Sequence, residues 1–362
     1  MRDILKCLLV AACLGAAFLP DAAAKRIKPS DPRLAWIGRV SLANPEKAVF
    51  TYPGVQVLAD FTGTSIGVDT KPGSGYFMVE IDDMPPFKVH SSGTEYNLTL
   101  ADNLEPGDHF LTLTYVNEGL VMKPEIYGLT IDDDADLIGY PELTDRKIEF
   151  IGNSITCGLG NEGDPDARKF DYSMQNQYYT YEAIACRELD AQCFVVARSG
   201  IGIYRNNNGN PNGDRGVMPD VYPYTQFGTS GERWDFSRFT PDVVCVNLGT
   251  NDTTNPRYDK TLLTNAYKKF LQTLRKNYPK AKIVLLTGTM LKGQRLEDVK
   301  QAHRDAIADA RKRGDNEVYT FDFTPDDGSC GRGVFSHPGR GRHEKMAQEL
   351  VPFLREITGW QD

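Results

Sequence analysis

A single change of rhythm, near residue 145, constrains the fold more than any other feature of this chain. Upstream of it the apolar segments are short and separated by turn residues. Ala48–Phe50, Val55–Phe61, Ser65–Asp69, Tyr76–Ile81, Phe87–His90, Tyr96–Leu100, Phe110–Val116 and Glu125–Ile131 read as strands. Pro53-Gly54, Lys71-Pro72-Gly73, Ser91-Ser92-Gly93 and Glu105-Pro106-Gly107 interrupt them, because proline and glycine end strands and permit tight turns. Strands in this number, with no helical stretch between them, bury their apolar faces against one another. Residues 25–141 are therefore expected to form a β-sandwich, jelly-roll-like in type.

Beyond Asp145 strand alternates with helix. Lys147–Ile151, Cys193–Ala197, Val243–Leu248, Ile283–Leu286 and Val318–Phe323 are continuous apolar runs of the kind buried in parallel sheets. Leu262, Leu263, Ala266, Tyr267, Phe270, Leu271 and Leu274 follow helical spacing, as do Met346, Ala347, Leu350, Val351 and Leu354. Residues 146–362 are expected to form a three-layer α/β/α domain around a mostly parallel, five-stranded sheet. Asn206–Gly216, rich in Asn and Gly, reads as a long surface loop.

Residues 1–24 read as an export signal. Arg2 and Lys6 give a positive start, Cys7 to Leu19 an apolar stretch, and Ala22-Ala23-Ala24 a small-residue cleavage site. The expectation is a secreted or periplasmic protein. Val10-Ala11-Ala12-Cys13 also resembles a lipoprotein processing site with Cys13 lipidated, but it would leave a very short signal and an apolar mature start. No other run reaches membrane length. The remaining cysteines, Cys157, Cys186, Cys193, Cys245 and Cys330, are odd in number, so no complete disulfide framework follows. No spacing of Cys or His suggests zinc, and Asp132-Asp133-Asp134 with Asp136 lacks the glycine and distal glutamate of a calcium loop. No metal or cofactor is expected. A formal charge of −8 argues against a nucleic-acid partner, which needs a basic surface.

Ligands of parallel α/β sheets bind at the carboxyl ends of strands, so those ends carry the chemistry. The first runs into Gly152-Asn153-Ser154-Ile155-Thr156, a serine lifted past a strand exit, with Thr156 where a lipase elbow has its second glycine. The second runs into Arg198-Ser199-Gly200, where a glycine lets a backbone N–H approach a ligand or simply turns the chain. The third ends Gly249-Thr250-Asn251-Asp252, whose asparagine amide can donate to an oxyanion or cap a turn. Near the C-terminus lies Ser336-His337-Pro338, with Pro338 biasing the histidine backbone towards extended geometry. Of the other histidines, His90 and His109 fall in the β half. His303 lies in a helix with polar neighbours and reads as solvated, and His343 is placed for a structural or capping role. His337, in a loop after the last strand, is the one placed to face the serine.

In combination these blocks resemble the SGNH, or GDSL-like, hydrolases. Gly152-Asn153-Ser154 matches the first block, with Asn153 in the usual aspartate position. Ser199-Gly200 matches the second, Gly249-Thr250-Asn251-Asp252 the third, and His337-Pro338 the fifth. The likeness covers Lys147–Ile357. With the β domain ahead of it, the whole chain resembles the family two carbohydrate esterases, acetyl esterases acting on plant polysaccharides. The resemblance implies Ser154 as nucleophile and His337 as general base. It implies an oxyanion hole built from the Ser154 and Gly200 N–H groups and the Asn251 amide. An acetylated polysaccharide or oligosaccharide, of xylan or glucomannan type, would be the partner. A lipase or phospholipid-directed SGNH esterase is the neighbouring reading, and a non-catalytic carbohydrate-binding protein is the alternative outside enzymes.

One departure matters for mechanism. SGNH enzymes usually carry an aspartate three residues before the histidine, and here that residue is Val334, followed by Phe335. Asp326 and Asp327, further back, read as a polar turn. A Ser–His dyad is expected, its imidazole oriented by a backbone carbonyl. Aromatic rings suit pyranose faces, and Tyr204, Tyr224, Trp234 and Trp360 are candidates. Trp234 and Tyr204 are favoured as substrate platforms, because they lie in the long insertion between the second and third strands.

Overall fold

A computed structural model describes residues 24–94 and 96–361. The export-signal reading falls outside these residues, apart from Ala24. The N-terminal part is two antiparallel sheets. One orders Lys25–Ile27, Glu125–Ile131, Ile66–Thr70 and Asn97–Ala101, and Ala48–Val49 pairs with Glu125–Ile131. The other orders Leu137–Gly139, Gln56–Gly63, Gly107–Tyr115, Gly75–Ile81 and Phe87–Ser91, with Ala35–Ile37 pairing with Gln56–Gly63. Strand alternation sets which side is buried. Val57, Ala59 and Phe61 face the core with Phe77, Val79, Ile81, Leu111 and Leu113, against Ile66, Val68, Ile126 and Leu129 of the opposing sheet. The sandwich expected from the turn spacing is present. One short helix, Gly119–Met122, interrupts it, where only strands were expected.

The second part holds five parallel strands, Lys147–Gly152, Gln192–Ala197, Val243–Asn247, Lys282–Thr287 and Val318–Asp322. The first lies between the second and third, and the fourth and fifth follow outward. Alternate residues serve two different layers. Phe150, Val243 and Cys245 pack against the helices Tyr181–Glu188 and Arg340–Thr358. Ile151, Val244 and Val246 pack with residues of Lys260–Asn277 and Gly293–Lys312. The sheet is thus apolar on both faces, which is why its strands read as continuous runs.

The two parts share a buried anchor. Arg39, from the β part, is 0% exposed, and its Nη2 donates to Glu149 Oε1 at 3.3 Å. Glu149 lies in the first parallel strand and also accepts from the Tyr222 hydroxyl at 2.8 Å. Arg39 donates further to the carbonyls of Tyr222 and Tyr224, and its guanidinium lies over the Tyr222 ring. Among the described residues no helix is long and apolar enough to cross a membrane.

Candidate active site

The parallel register brings three strand ends together. Gly152 pairs with Ala197 on one side and Asn247 on the other. Ser154, Gly200 and Asn251 follow those ends within four residues, so they leave the carboxyl edge side by side.

Ser154 opens a one-turn helix, Ser154–Cys157. Asn153 caps it: its side-chain oxygen accepts from Ile155 N–H at 3.0 Å, and its amide donates to the Asn247 carbonyl at 3.2 Å. A carboxylate could make the first bond but not the second, so asparagine here ties the serine turn to the third strand. The lipase-type second glycine is replaced by buried Thr156, which folds back over the strand end. A Cβ on Gly152 would come within 2.0 Å of its hydroxyl, so the glycine is needed there.

Ser154 is 8% exposed, and its Oγ lies 2.8 Å from His337 Nε2. The other ring nitrogen, Nδ1, lies 3.2 Å from the Val334 carbonyl oxygen. A carbonyl only accepts, so Nδ1 carries the proton and Nε2 offers its lone pair to the serine hydroxyl. Phe335 and Ser336 make this turn in left-handed backbone, with φ of 55° and 59°. Side-chain-bearing residues rarely adopt it, at about 1–3 kcal/mol each. The turn is held by Val334 N–H on the Gly160 carbonyl at 3.1 Å and by Gly333 N–H on the His337 carbonyl at 2.8 Å. Burial lowers the His337 pKa below the usual imidazole range, opposed by the nearby carbonyls of Val334 and Phe335.

Asp326 and Asp327 are engaged elsewhere. Asp326 is buried, pairs with Arg332 at 3.4 Å and accepts from Gly328 N–H. Asp327 accepts from Ser329.

Gly200 has φ of 78°, and a Cβ added to it would meet nothing closer than 3.9 Å, so its backbone conformation rather than crowding requires glycine. The Asn251 amide gives one proton to the Ile201 carbonyl at 2.8 Å and keeps its second free to point elsewhere. The Ser154 N–H, in the first turn of its helix, has no intrahelical acceptor. Fully buried Asp252 accepts from the N–H groups of Ile203, Tyr204, Arg205 and Gly249. It thereby fixes the loop after Gly200 to the third block. The motif pattern alone did not single out Asp252 for this role; its place beside Asn251 was the available signal.

Two sugar-platform expectations are corrected. Trp234 is 5% exposed and Tyr204 7% exposed, both inside the larger core. The guanidinium groups of Arg39 and Arg238 lie over the Trp234 ring, and Phe194 packs beside it. The Tyr204 hydroxyl accepts from Asp259 N–H. Neither presents a ring face to solvent. Trp360 lies under Arg146, which precedes the first strand, and so sits at the opposite edge of the sheet from Ser154. Phe335, two residues before His337 in the chain, is 52% exposed. His303, expected to be solvated, is instead fully buried against Tyr267. His343 is buried and accepts from Tyr181 N–H at 3.2 Å, a structural role.

Residues 36–141 match the family model described as carbohydrate esterase 2 N-terminal, and residues 150–348 match the GDSL-like lipase/acylhydrolase family. The chain is 35% identical over 333 residues to cellulase/esterase CelE of Acetivibrio thermocellus, covering 91% of this chain but only 40% of that protein's length. It is 29% identical to an acetylxylan esterase / glucomannan deacetylase of Cellvibrio japonicus, covering 92% of this chain and 91% of that one. Among solved structures, a family two carbohydrate esterase from Clostridium thermocellum in complex with cellohexaose superposes with a TM-score of 0.83 at 35% identity, over 91% of this chain and 100% of the other. One from Cellvibrio japonicus gives a TM-score of 0.83 at 27% identity, over 94% of this chain and 99% of that one. By its two domains, their order and these likenesses, the chain belongs to the carbohydrate esterases of family two and is a carboxylic ester hydrolase.

Proposed function

We propose that this esterase removes acetyl groups from plant polysaccharide of xylan or glucomannan type, through a Ser154–His337 dyad. The observation that carries the reading is the 2.8 Å contact from Ser154 Oγ to His337 Nε2, with Nδ1 directed at a backbone carbonyl rather than a carboxylate. In acylation, Oγ attacks the acetyl carbonyl carbon as Nε2 takes the serine proton. The developing oxyanion is met by the Ser154 and Gly200 N–H groups and the free Asn251 amide proton, each worth about 3–4 kcal/mol of barrier. His337 then protonates the leaving sugar oxygen, and water repeats the sequence in reverse to release acetate. The Val334 carbonyl holds the tautomer that an aspartate holds in a triad.

The named activities of the relatives support acetylated xylan and glucomannan as substrates, and the signal-like sequence of residues 1–24 supports export. The test is acetate release from acetylated xylan and from acetylated glucomannan by the wild type and Ser154→Ala, with p-nitrophenyl esters of rising chain length in parallel. Wild type should release acetate from polymer and prefer the acetyl ester, and Ser154→Ala should release none above background. Preference for long chains, or substantial activity in a folded Ser154→Ala variant, would overturn the reading. EDTA should leave the rate unchanged, and a loss restored by one metal ion would contradict the metal-free mechanism.

A further inference from the structure

The second block is held from outside its own domain. Ser199 N–H donates to Glu118 Oε1 at 2.6 Å, and the Ser199 hydroxyl donates to Glu118 Oε2. Glu118 belongs to the β domain and is 9% exposed. It stands at the N-cap of Gly119–Met122, yet its side chain does not cap that helix; it is spent on Ser199 instead. Its Oε2 also accepts from Gln175 Nε2 at 3.3 Å, and that same amide donates to the Cys157 carbonyl at 2.9 Å. Cys157 ends the helix that Ser154 begins. One carboxylate, with the Gln175 amide, therefore links the end of the serine helix to Ser199, the residue immediately before Gly200.

We infer that Glu118 is a positioning residue for the oxyanion hole, by which the β domain sets the Gly200 N–H relative to Ser154. The physical reason is rigidity. Gly200 has no Cβ to pack and a left-handed φ, so its N–H direction is fixed by the peptide on either side. Asp252 fixes the downstream side through Ile203, Tyr204 and Arg205. Upstream, Glu118 takes both Ser199 donors, with charge-assisted hydrogen bonds of about twice the strength of neutral ones. An oxyanion donor acts only when preorganised, and small misplacements lose much of its effect. The inference rests on the proposed oxyanion role of Gly200 and adds the group that aims it.

The test is steady-state kinetics on one acetylated substrate for Glu118→Ala, Glu118→Gln, Asn251→Ala and the double variant Glu118→Ala/Asn251→Ala, each checked by circular dichroism. Glu118→Ala should lower kcat by about 10- to 100-fold, a fraction of the roughly 100- to 1000-fold known for deleting one donor outright, with KM within about twofold. Glu118→Gln keeps an oxygen for Ser199 N–H and should recover kcat to within about fivefold. The double variant should be less impaired than the product of the two singles, because both act on one oxyanion. If Glu118→Ala does not fold, Glu118→Asp, which keeps the charge but shortens the reach, carries the same expected kcat loss. A Glu118→Ala variant within about threefold of wild-type kcat, a loss confined to KM, or strictly multiplicative losses would overturn the inference. Asn251→Ala separates the two levels. If it loses about 100-fold while Glu118→Ala loses nothing, the oxyanion reading stands and the positioning role is wrong. If Asn251→Ala also loses nothing, the oxyanion reading itself fails.

Discussion

At the scale of single residues, the proposed mechanism turns on one imidazole. His337 has its pKa lowered by burial, and its Nδ1 faces a neutral carbonyl rather than a carboxylate that would stabilise the charged form. As the proposed general base it would work only when neutral, so a lower pKa would keep it competent at lower pH. The acid limb of kcat/KM should therefore report an apparent pKa below about 6.5, the ordinary histidine value. A limb above that value would mean that an anionic partner reaches the ring. Ser154, Gly200, Asn251 and His337 could be singled out from the sequence because each sits just past a strand or before a helix, where local pattern fixes position. Glu118 could not: it lies 81 residues from Ser199 in the chain, and only the docking of two domains gives it a purpose. Trp234 and Tyr204 misled for the converse reason. Their loop looks like an exposed insertion, and nothing local shows that Arg39 of the β domain lies over the Trp234 ring.

At the scale of elements the serine turn is the part most open to test. Asn153 both caps the Ser154–Cys157 turn and satisfies the buried Asn247 carbonyl. Losing a cap costs about 1 kcal/mol, and leaving a buried carbonyl unpaired costs about 1–3 kcal/mol. Asn153→Ala should therefore destabilise by about 2–4 kcal/mol in urea denaturation and also lower kcat. Asn153→Asp should retain the cap and lose only the second bond, with a smaller effect. Equal effects of the two would mean that the link to the third strand contributes nothing. The five strands of this sheet were legible as apolar runs because both faces are covered. The short edge strands Lys25–Ile27, Ala35–Ile37 and Leu137–Gly139 were not, since three residues carry too little alternation to distinguish them.

At the scale of the whole molecule, polar groups cross between the two domains in buried positions, which should make them unfold as one unit. Arg39 is the clearest case, fully enclosed with Glu149 and four aromatic rings around it. Removing it strands a buried carboxylate, which in such pairs costs about 3–5 kcal/mol. Arg39→Ala should lose that much stability. Arg39→Lys should not restore it, because lysine cannot reach the Tyr222 and Tyr224 carbonyls and Glu149 together in the planar geometry of a guanidinium. Urea unfolding of the wild type should be a single transition by both near- and far-ultraviolet circular dichroism. Two separated transitions would show that the domains are independent and that these contacts are incidental.

The proposal of ester hydrolysis by a Ser154–His337 dyad has one most direct test. It is kcat/KM for acetate release from one acetylated polysaccharide by the wild type, His337→Ala, Asp326→Ala and Asp327→Ala. His337→Ala should fall nearly as far as Ser154→Ala, because members of the proposed dyad would act as one unit. Each aspartate variant should stay within about tenfold of wild type, whereas replacing the acid of a true triad lowers kcat by about four orders of magnitude. A roughly thousandfold or greater collapse in either aspartate variant, or a His337→Ala enzyme that still turns over well, would contradict the dyad.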